Sequence, residues 1–112
     1  MNKITQDAVT QYELLFPLIT GIYKEMQELS KKKPDTPLNT FKVKSINRIL
    51  EPSKELLKEE NMYQFLDILD VDDIPTNSDV VLILSQYMKS MDIFHDKYYY
   101  YDSKDGYKWR TK

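Results

Sequence analysis

Between Ser78 and Tyr98 the residues Val80, Leu84, Tyr87, Met91, Phe94 and Tyr98 follow one another at alternating intervals of four and three. That spacing keeps successive side chains on one face of an α-helix, whereas a strand, with its period of two, would scatter them over both faces. Val81, Met88 and His95 recur every seven residues on the adjoining stripe and widen the apolar side. A helix this apolar must be covered by other elements, so the rest of the chain is expected to pack around it. Ser78 is the expected N-cap, with Asp79 in the first turn, where the helix dipole favours negative charge.

A second run of the same period comprises Ala8, Tyr12, Leu15, Ile19, Ile22, Met26 and Leu29, which predicts a helix from about Thr5 to Lys32. Pro17 and Gly21 interrupt it and predict a kink or two abutting helices, because proline removes a backbone donor and crowds the preceding turn. Lys31, Lys32 and Lys33 suit a helix C-terminus, and Pro34 and Pro37 end it. Asn39 or Thr40 then caps a helix from Phe41 to Glu60 that buries Val43, Ile46, Ile49, Leu50, Leu56 and Leu57 and is bent or split by Pro52. Asn61–Leu69 predicts a short further helix with Tyr63, Phe65, Leu66 and Leu69 turned inward.

After Lys97 the pattern changes. KYYYYDSKDGYKWRTK lacks helical spacing, and Ser-Lys-Asp-Gly suits a hairpin loop closed by a left-handed glycine. Pairing across it is expected to set Tyr101 opposite Trp109, Asp102 opposite Lys108, and Tyr100 opposite Arg110. Alternation then puts Tyr99, Tyr101, Tyr107 and Trp109 on a sealing face, with Tyr100, Asp102, Lys108 and Arg110 on the outward one. The fold class that follows is mostly α: a compact antiparallel bundle of three long helices and one short, with a small C-terminal β-hairpin. Residues 1–112 form one domain, on which 97–112 pack as an aromatic hairpin.

Several chemistries are excluded by what the chain lacks. It contains no cysteine, which rules out disulfides, thiolate nucleophiles and cysteine zinc sites. Gly21 and Gly106 are its only glycines, too few for the loops that cradle phosphates or dinucleotides. An EF-hand counted from Asp70 would need glycine and glutamate where Pro75 and Val81 stand, so the aspartates predict no metal site. The lone histidine, His95, has neither a nucleophile at a diagnostic spacing nor an arginine four to six residues before it, and is expected to pack. No cofactor and no catalytic residue are expected.

A net charge of −2 disfavours a broad grip on duplex nucleic acid. The charge is unevenly spread: residues 61–95 hold six Asp against one Lys, and 96–112 hold five Lys or Arg against three Asp. Two candidate binding surfaces follow. One is the acidic loop Asp70, Asp72 and Asp73, where a basic partner would bind in a salt-sensitive way. The other is Tyr100, Lys108 and Arg110, whose residue types are common at interface hot spots. No apolar run approaches the roughly twenty residues that span a bilayer, and the start of the chain lacks a signal-peptide pattern. A soluble cytoplasmic protein is therefore expected.

The chain resembles small immunity, antitoxin and phage-encoded inhibitor proteins in size and helical character only. The expected function is a non-enzymatic interaction module of inhibitor, immunity, antitoxin or accessory type that binds another protein, with homo-oligomerisation left open. The alternative is a single-stranded nucleic-acid-binding domain that stacks bases on the tail's aromatic rings, disfavoured by the charge. A small hydrolase using His95 ranks third.

Overall fold

Thr5 stands in extended conformation, and its side chain accepts a hydrogen bond from the Ala8 N–H, which opens the first helix. The computed structural model describes residues 2–112. In it α1 runs from Gln6 to Lys32, α2 from Thr40 to Leu56 and α3 from Asn77 to Tyr98, followed by an antiparallel hairpin of β1, Tyr99–Asp102, and β2, Gly106–Trp109. The protein is mostly helical and elongated, measuring 51 × 24 × 20 Å.

All six residues of the α3 stripe are buried, together with Tyr12, Leu15, Ile19 and Met26 of α1 and Val43, Ile46, Leu50 and Leu57 from the α2 region. α1 packs along both α3 and α2, so it, rather than α3, is the shared element. Its C-terminal end meets the start of α3, where the Asn77 side-chain amide donates to the Lys33 carbonyl at 2.9 Å. At its other end Tyr12 stacks on Phe94 near the end of α3. The two helices therefore run in opposite directions.

Several boundaries differ from expectation. α1 is one helix through Pro17 and Gly21, so of the two alternatives there the abutting pair does not form. Pro17 is exposed, so the carbonyl it leaves unpaired can be served by water. α2 likewise passes Pro52 but ends at Leu56, short of Glu60, after its last turn tightens: the Leu57 N–H reaches both Ser53 O and Lys54 O. α3 is capped by Thr76, two residues before Ser78. Thr76 and Asp79 exchange side-chain and backbone hydrogen bonds in a capping box, which a cap at Ser78 would forgo.

The predicted short helix is reduced to a 3-10 turn, Asn61–Phe65, and Tyr63 and Phe65 face solvent while Leu66 and Leu69 are buried. Backbone groups that a helix would use internally are taken by side chains. The Asn47 amide both accepts from Leu69 N–H and donates to Leu69 C=O at 2.9 Å each, and the Tyr87 hydroxyl donates to Asp67 C=O at 2.9 Å.

Candidate functional site

The C-terminal hairpin is built by its loop. Gly106 has φ +77°, the left-handed conformation that closes a three-residue loop, and the Asp102 carboxylate accepts from the backbone N–H groups of Lys104 and Asp105 at 2.8 and 3.2 Å. These bonds set the register as Tyr99 opposite Trp109, Tyr100 opposite Lys108, Tyr101 opposite Tyr107 and Asp102 opposite Gly106. The expected pairing therefore slides by two residues. A slip of two preserves the alternation of faces, so each residue remains on its expected side.

The base of the hairpin is pinned by main-chain bonds. Arg110 N–H donates to Tyr98 C=O at 2.7 Å, Ile4 N–H to Arg110 C=O at 2.9 Å, and Lys112 N–H to Ile4 C=O at 2.9 Å, which ties the first residues to the last in a short parallel bridge. On the inner face Trp109 packs edge-on against Tyr12, His95 and Tyr99, with centroids 5.1 to 5.3 Å apart. Farther out, Tyr101 and Tyr107 pair edge to face at 5.2 Å and are 64% and 68% exposed. The inner face thus seals the core only near its base, at Trp109.

On the outward face the three expected residues come together. The Arg110 guanidinium lies 4.2 Å from the Tyr100 ring centroid and the Lys108 ammonium 5.7 Å from it. Lys108 also reaches Asp105 at 3.2 Å and Asp102 at 3.6 Å. The result is an aromatic ring within reach of two cations, one of which is shared with two carboxylates.

No family model matches the sequence, and no curated protein or solved structure is significantly similar to it.

Asp70, Asp72 and Asp73 lie at the opposite end of α3, exposed, with the Asp72 N–H donating to Asp70 Oδ1 at 2.8 Å. The intervening helix of 22 residues is about 33 Å long at 1.5 Å per residue. The acidic loop and the hairpin are therefore two surfaces. Asp70 and Asp73 border an open groove of about 340 Å³ whose walls include Ile74, Leu82 and Ile83. Among the described residues no three acidic or histidine side chains converge as a metal site would require.

His95 is ringed by Tyr12, Tyr99 and Trp109, and its Nδ1 lies 3.5 Å from the Asp96 carboxylate. Its polar partner is thus the adjacent Asp96. The phenol of Tyr12 is pushed up to about 12 by burial, with Asp92 and Asp96 adding to the effect, so it stays protonated at neutral pH. What the sequence did not reveal is the exposed Tyr101–Tyr107 pair. The shortness of the two strands that flank the turn was the available sign of it.

The turn also gives a pH prediction. The Lys104 and Asp105 N–H groups, then Lys108, hold the Asp102 carboxyl below its ordinary 3.8. A depressed value means that the carboxylate's contribution to the hairpin is complete above 3.8 and lost as pH falls through the lower folded value. The Lys104 and Asp105 amide resonances should therefore titrate with a midpoint below 3.8. In Asp102→Asn the turn bonds persist and that titration vanishes. A midpoint at or above the ordinary value would contradict the assignment.

Proposed function

We propose that this chain is a non-enzymatic protein-interaction module of inhibitor, immunity, antitoxin or accessory type. It is read as one cytoplasmic domain, an antiparallel helical bundle that presents a hairpin at one end and an acidic loop at the other. The observation that carries the reading is the outward cluster of Tyr100, Lys108 and Arg110, assembled on a hairpin whose base is fixed by main-chain bonds. Tyrosine and arginine held in place before binding lose little side-chain freedom when a partner docks, which is what distinguishes an interface anchor from an exposed residue. The acidic loop supplies a second contact of opposite sign, suited to a basic partner.

The test is affinity capture from native host extract on immobilised wild type and on a Tyr100→Ala/Arg110→Ala variant. A discrete polypeptide retained by wild type should be depleted at least tenfold on the variant, the effect of roughly 1.4 kcal/mol. If the acidic loop takes part, retention should also weaken between low and physiological salt. Equal capture by the two proteins would remove the hairpin from the interface.

The exposed rings of Tyr101 and Tyr107, with Lys104 in the loop between them, favour a second reading: a single-stranded nucleic-acid-binding domain in which bases stack on these rings. It ranks lower because Lys108 is already shared between Asp102 and Asp105, carboxylates that would repel a phosphate backbone. Fluorescence polarisation with labelled single-stranded DNA and RNA at low salt separates the two readings.

A further inference from the structure

Between α1 and the inner side of the hairpin lies an open groove of about 490 Å³, bordered by Gln6, Val9 and Glu13 of the helix and by Tyr99, Tyr107 and Trp109 of the strands. At 100° per residue the three helix positions fall within about 60° of one another, so one narrow face of α1 forms that wall. The three rings do not lie flat. Trp109 stands at 66° to Tyr99 with centroids 5.2 Å apart, while Tyr99 and Tyr107 are parallel within 4° at 5.8 Å, so the aromatic lining turns a corner. Tyr107 is 68% exposed, which leaves much of its ring open to whatever enters.

Glu13 is the second, independent observation. Its carboxylate is exposed and has no ion pair among the described residues. The positions that could pair it along its own helix hold Val9, Thr10, Phe16 and Pro17, none of them cationic. Lys108 borders the groove as well, but its ammonium is taken by Asp105 at 3.2 Å and Asp102 at 3.6 Å. A carboxylate without a counter-ion thus shares the groove with rings whose faces are negative, and both favour the same guest, a cation.

We infer that this groove binds a guanidinium group, supplied by an arginine of a partner protein. A guanidinium is planar, so it can lie on a tyrosine ring while its N–H fork meets a carboxylate with two hydrogen bonds; a lysine ammonium is a compact, strongly hydrated point charge that does neither. A phosphate entering the same groove would meet Glu13 and be repelled. Only the source of the guanidinium rests on the reading of the hairpin as a protein-binding element. The site itself does not, and it lies on the other side of the hairpin from Tyr100 and Arg110, so a partner that uses both would hold the hairpin from its two faces.

The probe is N-acetyl-arginine methylamide, titrated into the full chain and followed at the indole N–H resonance of Trp109, the only tryptophan. It should give a saturable shift at millimolar concentration, the strength that single exposed cation–π and ion-pair contacts allow. The citrulline counterpart keeps the planar shape without the charge and should bind about tenfold more weakly or worse; the lysine counterpart should also bind more weakly than arginine. Glu13→Gln and Tyr107→Leu should each raise the dissociation constant about threefold or more, with the remaining amide resonances in place to show that the fold is kept. Phe41→Ala, at an exposed position in the first turn of α2, should leave it unchanged. No saturable shift, citrulline or lysine bound as tightly as arginine, or wild-type affinity in Glu13→Gln would each overturn the inference. Because the probe is a single amino acid, these outcomes do not depend on whether a partner is captured from extract.

Discussion

Replacing Phe94 with alanine should lower stability by about 3–5 kcal/mol, the range for truncating a buried aromatic side chain, and should release the hairpin as well. Phe94 is only 2% exposed, and its ring stands where three elements meet. It stacks on Tyr12 of α1 at 5.7 Å, tilts against Tyr98 of its own helix at 4.9 Å and approaches Trp109 of β2 at 6.4 Å. The cavity left by alanine would remove the floor under Trp109, so the loss is coupled to hairpin docking and not confined to the core. Trp109 is the only tryptophan, so its emission reports this junction directly. Phe94→Ala should shift that emission to longer wavelength and lower Tm on the order of 10–20 °C. A large drop in Tm with unchanged emission would mean that the hairpin docks independently of this ring.

The same junction shows what the sequence could and could not convey. The α3 stripe was legible because burial on one side of a helix requires a period near 3.6 whatever lies opposite, and every residue in it from Val80 to Tyr98 is buried. The faces of the hairpin were legible for a similar reason. Parity survives a two-residue slip, so Tyr100, Lys108 and Arg110 meet as expected even though their partners across the strands differ. What failed was local detail. Of the alternatives at Pro17 and Pro52, a split does not occur, since each proline lies inside a continuous helix. Thr76 won the cap from Ser78 through Asp79. Glu60, expected on a helix end, is buried against α3, where it accepts from the Tyr98 hydroxyl at 2.8 Å and from Lys97 at 3.1 Å. A partner that lies 38 residues away along the chain leaves no mark on local spacing.

The short helix that did not form leads to the second large effect. Asn47 is buried on α2, and its amide serves the backbone of Leu69 as a neighbouring strand would, accepting from the N–H and donating to the C=O at 2.9 Å each. Removing it leaves a buried donor and a buried acceptor unpaired at once, each costing about 1–3 kcal/mol, so Asn47→Ala should destabilise the protein by roughly 2–5 kcal/mol, near the upper end for a single substitution. The two bonds can be separated. In Asn47→Asp the carboxylate still accepts from Leu69 N–H but can no longer donate, and it sets negative charge against the Leu69 carbonyl oxygen. Protonation restores a donor, so the folded state should hold that proton and raise the carboxyl's pKa. The sign is then fixed: Asn47→Asp should approach wild-type stability below the ordinary carboxylate range and lose it as pH rises through the raised value, whereas the deficit of Asn47→Ala should not depend on pH. Urea unfolding of both variants from pH 4 to 8 makes the comparison. Parallel stability curves across that range would show that Leu69 does not rely on the Asn47 amide as its hydrogen-bond donor.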